Sequence, residues 1–133
     1  MENKEFVMEW LGRAKSNLER AKLGRASESI LYEDICFDCQ QAAEKAIKAL
    51  LISIDKKFSW EHSIPRLLEL VSEGGIEIPG EIENAIDLTE YAVETRYPGE
   101  REPVTEEEYK EGLKLAEIIY NWVIKIIMEA EKR

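Results

Sequence analysis

"EDICFDCQQAAEKAIKALLISID" (residues 33–55) carries apolar side chains at Ile35, Cys39, Ala42, Ala43, Ala46, Leu50 and Ile54. Steps of three and four put them on one helical face. The spacing predicts a helix over residues 33–55, about 34 Å long at a rise of 1.5 Å per residue, and its alanines would let a neighbouring helix come close. Beside that face runs a polar series, Asp34, Asp38, Gln41, Lys45 and Lys48, with Glu44 one turn before Lys48. Two readings fit the series. One is a solvated face with helix-stabilising pairs worth about 0.2–0.5 kcal/mol each. The other is the wall of a phosphate-binding cleft, on which Lys48→Glu would weaken nucleotide or RNA binding and leave the melting temperature within a few degrees, whereas a loss of stability would make Lys48 a structural partner of Glu44.

Working outward, Val7, Leu11, Ala14, Leu18 and Ala21 mark a helix over residues 3–22 that Gly24 ends, with Phe6 and Trp10 as a second apolar strip. Residues 64–73 read as a short helix, with Ser63 as N-cap, Pro65 in the first turn and Gly74-Gly75 as the stop. Ile82, Ala85, Ile86, Thr89, Ala92 and Val93 mark a helix from Pro79 to Arg96, which Pro98 closes. Thr105 and Glu108 form a capping box for the last helix, and Val104 and Tyr109 are placed for a hydrophobic staple.

That last helix carries two apolar stripes. Tyr109, Leu113, Ala116, Tyr120, Val123, Ile127 and Ala130 make one, and Leu115, Ile119, Trp122 and Ile126 the other. With no β pattern and no linker, the expected architecture is a single domain over residues 1–133: all-α, an up-and-down four-helix bundle with one additional short helix. The surplus stripe, with Phe6 and Trp10, points to a homodimer; a helix buried on most sides is the alternative.

Twenty-eight acidic residues against eighteen basic ones give a net charge of −10, which opposes non-specific nucleic-acid binding but leaves room for a local basic pocket. No apolar run spans a bilayer and no leader is visible, so a soluble, cytoplasmic protein without membrane contact is expected. Cys36 and Cys39 form a C-x-x-C inside a helical pattern. Two thiols and the single His62 are too few for a structural zinc, so no metal is expected and the thiols read as core residues.

Arg96 ends the series Ile82, Ala85, Thr89, Ala92, Arg96, so its guanidinium lies on the inward or interface face and needs a partner. Asp38 or Glu44 could pair with it, or it could bind a phosphate. His62 reads either as a proton carrier or as a hydrogen-bonding cap for the short helix.

"CFDCQQAAEKAIKALL", then "WEHSIPRLLELV", then "LTEYAVETRYPG" together resemble the HEPN family, the higher eukaryotes and prokaryotes nucleotide-binding domain. The likeness extends from "WLGRAKSNLERA" to "AEIIYNWVIKII". On that resemblance Gln41, Glu44, Lys45 and Lys48 match the second-helix motif, His62 the histidine before the short helix, and Arg96, Tyr97 and Pro98 the family's R-Y-P.

The resemblance implies a dimeric helical bundle, often paired with a minimal nucleotidyltransferase in a toxin–antitoxin system, and in many members a metal-independent ribonuclease. The family's nuclease motif is an arginine followed four to six residues later by a histidine. No histidine follows Arg96 in this chain. The expectation is therefore a non-catalytic HEPN-type domain without cofactor that binds nucleotide or RNA phosphate, with a degenerate ribonuclease toxin as alternative. A third reading, an all-α nucleotide pyrophosphohydrolase, rests on Glu107, Glu108 and Glu111, but no downstream E-x-x-D follows; the helix dipole explains acidic residues in a first turn.

Overall fold

The local signals set the helix boundaries. In the computed structural model, which describes residues 3–84, 86 and 103–132, α1 spans Lys4–Lys22, α2 Tyr32–Ser53 and α3 Ile64–Glu73. Helix α4 begins at residue 80 and is described over 80–84, and α5 spans Glu106–Glu131. The capping box closes as expected: Thr105 Oγ1 accepts from Glu108 N at 3.1 Å, and Glu108 Oε1 accepts from Thr105 N at 3.1 Å. Val104 and Tyr109 are buried in one cluster, which completes the staple. Ser63 caps α3, and Gly75, at φ +95°, turns the chain away from it. Side-by-side packing also restricts position 74, where a Cβ would lie 2.6 Å from Ile54 Cδ1.

Cross-links fix the directions of the helices. The Asn3 amide donates to the Ile52 carbonyl, and Asn17 Nδ2 donates to Asp38 Oδ1, so α1 and α2 are antiparallel. Lys4 Nζ lies 3.7 Å from Glu131 Oε1 while Tyr109 donates to the Ala21 carbonyl, so α1 and α5 are antiparallel too. Helices α2 and α5 therefore run parallel, with Tyr32 stacked on Tyr109 at 5.7 Å between centroids. A parallel pair needs a return leg between its members in an up-and-down bundle. Helix α3 is the short addition.

Helix α2 is the centre. Thirteen of its 22 residues are buried against six of 19 in α1, because α1, α3 and α5 all pack on it. The single apolar face expected from the sequence is too narrow: Ile47 and Leu51, outside that series, are fully enclosed. Ala42, Ala43, Ala46 and Ala49 keep the approaching helices close. On α5 the inward line runs between the two stripes, burying Tyr109, Leu115, Ala116, Ile119, Val123 and Ile127. Leu113, Tyr120, Trp122 and Ile126 are half-buried and Ala130 is exposed. Among the described residues no helix is long and apolar enough to cross a membrane.

Cys36 and Cys39 are buried in the cluster that joins α1, α2 and the start of α5. Burial, reinforced by the neighbouring Cys36 and Asp38, pushes the Cys39 thiol from 9.0 up to about 12. The folded chain keeps this proton where the unfolded thiol has lost it, so the thiol's contribution to stability is intact below pH 9 and declines as pH rises toward 12. Urea titrations should find that wild type loses more stability between pH 8 and about 10.5 than Cys39→Ala does; parallel losses would contradict this assignment.

Candidate functional site

Glu44 and Lys48 stand one turn apart near the end of α2, where residues 54–63 fold back toward α3. Lys48 Nζ lies 3.0 Å from Glu44 Oε2 and 3.3 Å from His62 Nδ1, and that same imidazole nitrogen is 3.1 Å from Glu44 Oε2. Trp10 of α1 and Phe58 of the loop flank the ammonium, with ring centroids 5.7 and 5.4 Å from Nζ and the two rings perpendicular to each other. Both distances are within cation–π range. One carboxylate, one imidazole nitrogen and two aromatic faces thus take the place of water around a lysine that is 5% exposed.

The solvated-face expectation for this part of α2 is corrected by that burial. Glu44 is 4% exposed and Asp38 8%, because Trp10, Asn17 and the loop bearing Phe58 and His62 cover the polar series. Its other members are less enclosed: Asp34 is exposed, and Gln41 and Lys45 are half-buried. A buried ion pair at this spacing is no longer a surface pair worth tenths of a kcal/mol, since either partner alone would be an uncompensated charge in low dielectric.

His62 is the accessible member, with 68% of its side chain open to solvent. Its Nδ1 can accept a hydrogen bond from Lys48 or donate one to Glu44. In the first arrangement, the outward Nε2 carries the proton and can donate to an incoming oxygen. The capping role belongs to Ser63, which accepts from Arg66 N.

A second polar set continues one turn back along α2. Lys45 Nζ donates to Asn17 Oδ1 at 2.8 Å, Asn17 Nδ2 donates to Asp38 Oδ1 at 3.0 Å, and Arg20 Nε lies 3.5 Å from Asp38 Oδ2. Sequence reasoning missed Asn17, Arg20 and Phe58 in these two sets. Asn17 left a usable signal: it sits three residues after Ala14 and four before Ala21, a polar side chain on an apolar seam. Gln41 lies between the sets and makes no hydrogen bond among the described residues.

Asp38 and Glu44, the carboxylates considered as partners for Arg96, already have partners of their own. Arg96, Tyr97 and Pro98 lie outside the described residues. A cavity of about 350 Å³ between α3 and the start of α4 has Glu69 and Glu83 in its wall, a poor match for phosphate. Glu108 of the E-E-x-x-E is committed to the cap, and no group of three or more metal-binding side chains occurs among the described residues.

The sequence model of the HEPN domain matches residues 7–127, a span that takes in both polar sets. The chain belongs to the HEPN domain family. Two solved structures share its fold. An archaeal HEPN homologue is 29% identical, with 91% of this chain and 97% of that one covered at a TM-score of 0.68. A protein from Thermus thermophilus is also 29% identical, with 94% and 98% covered at a TM-score of 0.72. No curated protein matches the chain. The all-α HEPN bundle expected from the sequence is thereby shown.

The buried pair in this HEPN domain generates a stability test. Lys48→Met should leave the Glu44 carboxylate uncompensated and cost about 3–5 kcal/mol, whereas Glu44→Leu combined with Lys48→Met should recover most of the loss. Urea unfolding of the single and double variants measures both, and a single variant as stable as wild type would show that the carboxylate does not depend on the ammonium.

Proposed function

We propose that this HEPN domain binds the phosphate of a nucleotide or nucleic-acid end without cleaving it, and acts beside a minimal nucleotidyltransferase in a toxin–antitoxin-like pair. The observation that carries the reading is the meeting of Glu44, Lys48 and His62, three residues that the family resemblance singled out, in one cluster with a solvent-facing imidazole. Lys48 is already neutralised by Glu44, so its part is to hold His62 in place. Direct contact with a phosphate then falls to His62, to the half-buried Lys45 and, by family resemblance, to Arg96 and Tyr97.

The absence of a histidine after Arg96 supports the non-catalytic form of this proposal, because an arginine alone can stabilise a phosphoryl transition state but moves no proton. Titration calorimetry with ATP and with a 5′-phosphorylated RNA should give binding by wild type and none by Arg96→Ala, with the variant's melting temperature unchanged or raised. Absence of wild-type binding would remove the proposal. Metal-independent RNA cleavage lost in Arg96→Ala but retained in His62→Ala would favour the ribonuclease reading.

A second copy of the chain is part of the same proposal. Phe6 and Met8 near the start of α1 are 63% and 52% exposed, Met128 near the end of α5 is 52% exposed, and the Lys4–Glu131 pair brings these helix ends together. Light scattering at micromolar concentration should return twice the chain mass, and a single-chain mass would sink the dimer.

A further inference from the structure

Residues 58–61 form a turn closed by Glu61 N donating to the Phe58 carbonyl at 3.0 Å. Ser59 within it adopts φ +49°, the left-handed region that a side chain disfavours. The turn separates two aromatic neighbours. Phe58 goes inward against Trp10 and Lys48, while Trp60 is left 89% exposed. Trp10 and Trp122 are half-buried. An indole held out on a turn whose other aromatic is anchored in the polar cluster is a large apolar surface withheld from the core.

Its surroundings indicate what it meets. His62, two residues on, is pinned through Nδ1 and presents its outer nitrogen to solvent. Lys57 is exposed and has no ion pair among the described residues. Trp60 is the only large hydrophobic of residues 54–63 to be exposed; Phe6, Met8, Phe37 and Met128 lie on the helices, and Leu23 and Leu31 flank the connection between α1 and α2. A protein partner would call for a contiguous apolar patch. An exposed indole with an imidazole two residues after it and, three residues before it, an ammonium without an ion pair among the described residues instead matches a planar base carrying phosphate, the combination that single-stranded nucleic-acid sites use.

We propose that Trp60 is a stacking platform for a nucleobase, with His62 and Lys57 meeting the attached phosphate. This rests on the phosphate-binding reading and adds to it that the ligand is recognised through its base, so that inorganic phosphates are poor substitutes.

The test uses the whole chain with oligoadenylate of eight nucleotides and inorganic pyrophosphate as probes. Wild type should bind oligoadenylate with quenching of tryptophan fluorescence. Trp60→Ala should weaken that binding about ten- to a hundredfold and remove most of the quenching, Trp60→Phe should retain most of the affinity, and both should melt as wild type does because the side chain is exposed. Pyrophosphate affinity should be the same in all three proteins. Equal oligoadenylate affinity in wild type and Trp60→Ala overturns the stacking role while leaving phosphate binding in place, and so does wild-type binding of pyrophosphate without any gain from the base. Failure of wild type to bind either probe overturns both. Loss of a co-purifying protein from Trp60→Ala, with oligoadenylate affinity unchanged, would mean that the indole serves a protein contact.

Discussion

A lysine ammonium enclosed by protein dictates much of this molecule's arrangement. Lys48 leaves water only because Glu44 is one turn away, His62 offers a ring nitrogen, and Trp10 and Phe58 close over it. Desolvating an ammonium costs several kcal/mol unless such partners are in position. Three separate parts of the chain therefore have to converge on α2: Trp10 fixes the rotation of α1, Phe58 the path of the loop, and His62 the entry into α3. The apolar contacts that surround the cluster supply the driving force. The charge determines which of several greasy packings is acceptable.

The bundle was legible in the sequence wherever a local rule decides structure. Thr105 with Glu108, Ser63 with Pro65, and Gly74-Gly75 each act through a hydrogen bond or a dihedral preference among residues a few positions apart, and each lies where it was expected. Burial was less legible. One series of side chains on α2 described the seam toward a single neighbour, yet Ile47 and Leu51 are as deeply enclosed. How many neighbours a helix has depends on contacts distant in sequence, which periodicity does not encode.

The candidate site divides along the same line. Glu44 and Lys48 could be paired from their spacing, but not their burial, since what covers them comes from α1 and from beyond the end of α2. His62 joined the cluster only through family resemblance; thirty-four residues upstream of Arg96, its position in sequence says nothing of its contacts. Asn17 was passed over because a single amide among apolar positions is usually taken as tolerance rather than as a bridge between a lysine and an aspartate. The two polar sets give the HEPN bundle an ordered seam between α1 and α2 instead of a purely apolar one.

The central position of α2 also bears on how the chain is made. Its antiparallel partner α1 precedes it, so that hairpin can form as soon as residue 53 has left the ribosome. The face against α5 has no such local partner and must wait until residues 106–131 have been synthesised. During that interval Ala42, Ala46 and Leu50 border surface that the finished fold hides, the kind of transient exposure that chaperones bind. A protein assembled around its second helix keeps the α5-facing side of that helix uncovered until its last helix is made.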